Sequence, residues 1–479
     1  EMSASLVGSE MCIRDRCKVP RPSKKEEKIR EFLVNFAKSR GLEYKTDEAG
    51  NVLIRKNATA GRENRKCVIL QSHMDMVCEK NNDTEHNFET DPIQTYIDGE
   101  WLKAKGTTLG ADNGIGVATQ LAVLASDDIE HGPIECLFTV DEETGLTGAF
   151  ALKEGFMNGD ILINLDSEDE GELFIGCAGG AGTTAVFPCP MVEAPEGYFF
   201  FRVEVKGLTG GHSGDDINKN RANANKVLNR YLMLLAKRYD LYLAEIDGGN
   251  LHNAIPREAY AVCAVPMKDK ESVRVDLNIF LAEVENEYSV TEPNMRMDLE
   301  SENALPLVME KEAMMRFLNS IHAVHNGVFA MSQDIEGLVE TSSNLASVKQ
   351  KDGQIVVVTS QRSSILSSRK DMSQTVRSAF ELGGATVTTG DGYPGWKPNP
   401  SSEVLKIAVD SYKALFGVEP KIKAIHAGLE CGLFLEKYPS LDMVSFGPTL
   451  RGVHSPDERM LIPTVDKFWK HLLHLLKNI

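Results

Sequence analysis

His73 and Asp75 lie two residues apart in Gln-Ser-His-Met-Asp-Met, just past the apolar run Cys67-Val-Ile-Leu70. On an extended chain such residues point the same way, so one can bind a metal ion while the other orients it. Asp112 stands among glycines in Leu-Gly-Ala-Asp-Asn-Gly-Ile-Gly at a predicted helix start, where backbone can come close to an ion and a carboxylate can bridge two. Glu142 and Glu143 are adjacent in Val-Asp-Glu-Glu-Thr-Gly, so one can ligate and the other can move a proton. Asp166 ends the run Ile161-Leu-Ile-Asn-Leu165, and His454 follows Met443–Phe446 through Gly-Pro-Thr-Leu-Arg-Gly-Val-His-Ser-Pro. Imidazoles and carboxylates together suit zinc, manganese or cobalt, and two ions about 3.5–4 Å apart would share Asp112 and a water molecule. Three carboxylates and two neutral histidines would leave such a pair with a net charge of about +1, which favours hydroxide near neutral pH.

These residues need elements that bring them together. Apolar, β-branched runs at Val52–Ile54, Cys67–Leu70, Ile134–Val140 and Ile161–Leu165 read as strands, with a helix at Gly114–Ala125 between two of them. Strands alternating with helices predict an α/β sheet, and most of the candidates then lie past strand ends, where open α/β sheets hold their ligands. Ser23, with Glu26 three residues later, predicts a capped helix start ahead of Ile29, Phe32, Leu33 and Phe36. A glycine cluster from Gly176 to Gly182 breaks the rhythm, and Phe199–Val205 and the helix Ala222–Lys237 open a segment of different character. The run from Thr388 to Pro400, rich in glycine and proline, closes it; a helix from Ser402, a strand at Met443–Phe446 and a helix from Thr464 then resume the first pattern. The expected order is a catalytic part at 17–180, an inserted domain at 181–390 and a second catalytic part at 391–479.

Composition narrows the function classes. The 479 residues are 42% hydrophobic, enough for two cores, and carry 52 basic against 70 acidic side chains for a net charge of −18. That excess argues against nucleic acid or an anionic membrane as partner. Apolar runs fall well short of the roughly 18 residues that span a bilayer. Nine cysteines, scattered singly, predict a reducing, cytoplasmic setting rather than a disulfide framework. Residues 1–16 show neither a signal-peptide pattern nor a helical period and resemble translated adapter sequence, so they read as a non-native scar. Their removal is expected to leave activity and melting temperature unchanged, and assays of the trimmed and full chains side by side test this.

His-x-Asp, Gly-Ala-Asp-Asn-Gly, Asp-Glu-Glu-Thr-Gly, Leu-Asp-Ser-Glu, Gly-Gly-His-Ser-Gly and His-Asn-Ala-Ile-Pro follow one another in an order that resembles the M20 metallopeptidases, in particular their aminoacyl-histidine dipeptidase branch. The resemblance runs from about Cys17 to the C-terminus. It implies the α/β fold of a metal-dependent exopeptidase catalytic domain interrupted by an α+β lid. It also implies two divalent ions, zinc foremost, held by His73, Asp112 as the bridge, Glu143, Asp166 and His454, with Glu142 as general base and Asp75 behind His73. In the inserted segment it points to His212 in Gly210-Gly-His-Ser-Gly214, Asn253 in His252-Asn-Ala-Ile-Pro256 and Arg362 in Ser360-Gln-Arg-Ser-Ser364 as substrate-binding groups. Related dimeric enzymes carry Asp-x-Arg after the Asn-x-Ile-Pro element, where this chain reads Ala261-Val-Cys-Ala-Val-Pro266; Arg362 is the stand-in. The implied activity is hydrolysis of Xaa-His and other dipeptides, with monomer and homodimer both open. An amino-acid deacylase or carbamoylase on the same scaffold, or a silent peptide-binding protein, are the alternatives.

Overall fold

The computed structural model describes residues 17–81 and 83–479, so the reading of residues 1–16 lies outside what is described. Two compact units emerge: residues up to Gly176 with Trp396–Ala424 and Leu429–Ile479, and Cys177–Gly395 with Ile425–Gly428.

The first unit is built on an eight-stranded sheet, in spatial order Glu43–Thr46, Val52–Lys56, Ile134–Thr139, Val68–His73, Ile161–Asn164, Asp442–Ser445, Glu172–Cys177 and Lys421–Ile425. The strands Ile134–Thr139, Val68–His73, Ile161–Asn164 and Asp442–Ser445 run parallel to one another, in a register that pairs His73 with Thr139 and Asn164 with both Gln71 and Ser445. The first three are buried along their whole length, which is why they read as unbroken apolar runs rather than alternating ones. Because the four are parallel and aligned, their C-terminal ends open on one edge of the sheet. Helix Ala111–Ala125 packs on Val68–His73. Helices Glu403–Phe416, with Ser402 capping Leu405 N, and Ile462–Asn478 pack on each other.

Ser23 does not cap the first helix. That helix spans Glu27–Ser39 without a side-chain cap; Ser23 Oγ instead donates to Asp75 Oδ2 at 2.8 Å, and Glu26 Oε1 accepts from Lys24 N and Asp141 N. Serine and glutamate at capping-box spacing have gone to tertiary partners, which a local pattern cannot reveal.

The second unit is a nine-stranded sheet, antiparallel in its pairings, with helices Ala224–Arg238, Lys270–Glu287, Lys311–Ala323 and Leu366–Leu382. Sheet and helices share one core containing Phe187, Phe201, Tyr231, Phe317 and Phe380. Near its start a side chain on Gly179 would come within 2.5 Å of Gly395 N and Tyr393 O, so the two passages of the chain touch where only glycine fits. Residues 425–428, between the strand Lys421–Ile425 and the next helix, belong to this unit rather than to the first. Among the described residues no helix is long and apolar enough to cross a membrane.

Candidate metal centre and active site

The parallel strands deliver their side chains to a common point. His73 closes its strand, Glu142 and Glu143 follow Thr139 by three and four residues, and Asp166 follows Asn164 by two. Asp112, in the first turn of the helix Ala111–Ala125, and His454, from a loop, meet them. His73 Nε2 lies 3.0 Å from Asp112 Oδ1 and 3.3 Å from Asp166 Oδ1; His454 Nε2 lies 3.1 Å from Asp112 Oδ2 and 3.0 Å from Glu143 Oε2. Each oxygen of Asp112 thus faces a different imidazole and a different second carboxylate. Two sets result, His73 with Asp112 and Asp166, and Asp112 with Glu143 and His454, each with ligand atoms within 4.8 Å of one another. Glu142 makes a further such group with His73 and Glu143.

The electrostatics are those of a site short of positive charge. Burial and the neighbouring Asp112 and Glu143 push Asp166 up to about 6. Burial, with Asp166, Glu430 and Glu143 nearby, raises Glu142 well above the usual carboxylate range. Hydrogen bonds to Asp112 and Glu143 lift His454 to about 11, and against the pull of burial Asp166, Asp112 and Asp75 raise His73. Burial works to raise Asp112, but the two histidines hold it low. Among the described residues Glu143 Oε1 is buried without a hydrogen-bond partner, a cost that a cation would remove. Nitrogen and oxygen donors in two overlapping sets fit a pair of divalent ions of the zinc, manganese or cobalt kind.

A surrounding layer holds this geometry, and sequence reading found little of it. Asp75 lies 3.3 Å from His73 Nδ1 and accepts from Glu142 N at 3.1 Å and Glu143 N at 3.3 Å, so one carboxylate aligns both the histidine and the glutamate turn. Asp141 opens that turn at φ 51, a conformation costly for a side-chain-bearing residue, and is held there by the hydroxyls of Thr144 and Thr147. Glu458 accepts from the backbone N–H groups of Leu109, Gly110, Ala111 and Asp112 at 2.7–3.3 Å, cradling the loop that presents Asp112. Arg21 ties the same loop to the histidine strand by donating to Gly110 O and, at 2.7 Å, to Asp75 O. Beneath the site Glu430, 1% exposed, accepts from Gln71 at 2.6 Å and Thr139 at 2.9 Å, and burial together with Asp166 pushes it up to about 8. Asp141 was visible beside the glutamate pair, and Glu458 sits four residues after His454; Arg21 and Glu430 carry no sequence signal at all. Glu458→Gln, which turns half of the cradle into a donor, is expected to weaken metal retention roughly 10–100-fold in chelator competition. Unchanged retention with a lower melting temperature would make Glu458 a fold residue only.

The second unit brings together another group. Arg362, in the strand Gln354–Ser363, is 6% exposed; Nη1 is 3.1 Å from Tyr393 Oη and Nη2 is 3.5 Å from His212 Nε2. Among the described residues no carboxylate lies within ion-pair distance of it, and its Nε has no partner. His212 Nδ1 accepts from Gly214 N at 3.3 Å and Asp215 N at 3.2 Å, so the neutral ring carries its proton on Nε2, beside the guanidinium. Burial and then Arg362 lower His212, and the same causes take His426, bonded to Ser342 at 2.7 Å, down to about 3. A buried guanidinium flanked by neutral donors can hold an anion. Asn253 is half-buried in the loop beside the short ladder that pairs His212 with Ala254.

Residues 69–478 match the model of peptidase family M20/M25/M40. This chain belongs to that family. It is 46% identical to the cytosol non-specific dipeptidase of Escherichia coli (strain K12) over 97% of this chain and 96% of that protein. The crystal structure of aminoacylhistidine dipeptidase from Vibrio alginolyticus superposes with a TM-score of 0.92 at 46% identity, covering 98% of this chain and 96% of the other. A Staphylococcus aureus tripeptidase, with a TM-score of 0.58 at 17% identity over 100% and 99% of the two chains, shares the fold. The chain therefore has the M20 peptidase fold, and its relatives at 46% identity are dipeptidases.

Proposed function

We propose that this M20 chain is a two-metal dipeptidase acting on Xaa-His and other dipeptides with free termini, working in the cytoplasm with zinc. The observation that carries the reading is Asp112, whose two oxygens face two separate sets of donors with an uncommitted glutamate, Glu142, beside them. His73, Asp112, Asp166, Glu143 and His454 would hold the ions, which when bound supply Lewis-acid polarisation of the scissile carbonyl and acidify the attacking water. Glu142 takes the proton of that water and returns it to the departing amine, a task suited to a carboxylate whose proton affinity is raised. Asp75 keeps the imidazole of His73 and the backbone of Glu142 in register. In the second unit, which takes the role of lid, Arg362 grips the C-terminal carboxylate, and His212 and Asn253 offer neutral donors to the oxyanion.

A substrate panel on metal-reconstituted protein tests this. Xaa-His dipeptides should be cleaved and N-acetyl amino acids should not. The reverse preference would make the chain a deacylase on the same scaffold.

A further inference from the structure

The acidic run Asp166-Ser-Glu-Asp-Glu170 leads away from the metal centre, and three of its four carboxylates are spoken for. Asp166 faces His73 at 3.3 Å, Asp169 pairs with Arg451 at 2.6 Å, and Glu170 binds Tyr412 Oη and Lys467. Among the described residues Glu168 alone of the four makes no hydrogen bond or ion pair through its side chain, although it is half-buried. Its backbone is held: Glu168 O accepts from Leu450 N at 3.0 Å and from Arg451 Nη1 at 3.1 Å. That ties it to the segment running on to His454. Ser167 turns inward, 2.7 Å from Ser445 Oγ, and the chain from Leu165 to Asp169 forms neither helix nor turn. Glu168 lies close enough to Asp112, Asp166 and His454 to feel their charges. It follows Asp166, which completes one donor set, by two residues and is tied through its backbone to the segment leading to His454, which completes the other, without being part of either.

A carboxyl group with no intramolecular partner, among acids committed elsewhere, is open to a cationic group that the substrate brings. We propose that Glu168 is the receptor for the free N-terminal ammonium of the substrate, and so the residue that selects unblocked peptides. The inference rests on the dipeptidase reading above. Distance supports it, because the α-amine is two bonds, about 2.5 Å, from the scissile carbon, and its counter-charge must stand at the rim of the metal centre. The ligating carboxylates are turned to the histidines and cannot also serve.

Glu168→Gln keeps the shape, removes the charge and breaks no contact. Binding is measured calorimetrically on metal-loaded Glu142→Ala protein, with and without Glu168→Gln, using alanyl-histidine and its N-acetyl form. Glu168→Gln is expected to weaken alanyl-histidine roughly 10–100-fold and to leave N-acetyl-alanyl-histidine within about twofold, with metal content unchanged. Equal weakening of both ligands, or loss of an ion, overturns the assignment. If the otherwise unaltered chain cleaves alanyl-histidine while Glu168→Gln keeps its preference for the free amine, this inference alone fails. If the unaltered chain does not cleave it, the dipeptidase reading fails and takes this one with it.

Discussion

Glu142→Ala is expected to lower kcat by about 10²–10⁴-fold while both metal ions remain bound. The two glutamates after Val140 differ in what they face. Glu143 points an oxygen at His454 Nε2 and belongs to the donor set shared with Asp112, whereas Glu142 groups with His73 without a hydrogen bond to it. The backbone N–H of Glu142 is pinned to Asp75, so truncating its side chain leaves the turn in place. The measurement is metal content by elemental analysis alongside single-turnover rates on a dipeptide. Loss of one ion equivalent in the variant would make Glu142 a ligand and leave the proton-transfer role to be found elsewhere. The reciprocal variant, Glu143→Ala, should lose metal first and activity as a consequence.

Arg362→Lys is expected to lower kcat/KM on a dipeptide roughly 10–100-fold and to affect the C-terminal amide far less. A guanidinium presents two parallel donors to a carboxylate, and a lysine ammonium does not reproduce that fork. Arg362 is buried beside Tyr393 and His212, and among the described residues no carboxylate pairs with it. If the contact is equally strong in ground and transition states the loss falls on KM; if it also sets the carbonyl in place, kcat falls too. Wild-type protein should already handle the amide poorly, since the amide offers no charge to grip. Equal proportional losses on acid and amide would reassign Arg362 to supporting the second unit.

Much of this was legible before any coordinates. The strand at Ile161–Leu165 runs Ile161–Asn164, the strand expected at Met443–Phe446 runs Asp442–Ser445, and the helix at Ala222–Lys237 runs Ala224–Arg238. Fully buried parallel strands write themselves as continuous apolar runs, and glycine and proline mark the ends. The ligand candidates were readable because each stands just past such a strand, or in a glycine-flanked loop, where a polar residue has no packing reason to be.

What the sequence determined by itself, then, is the local part: which residue types occur, which stretches extend or coil, and which acids and histidines follow strand ends. Whether they meet was decided by the sheet, whose parallel register lines up Thr139, His73 and Asn164 at one edge. Only tertiary structure sent Ser23 to Asp75 rather than to a helix N-terminus, and brought Glu458 across 346 positions to the backbone of Asp112. Only there does Glu168 differ from Asp169 and Glu170, three acids alike in the chain but unequal in their partners. The physical reason is that spacing encodes interactions within a turn or a strand. Hydrogen bonds and ion pairs between distant segments depend on where the packed core leaves each side chain, and nothing local records that.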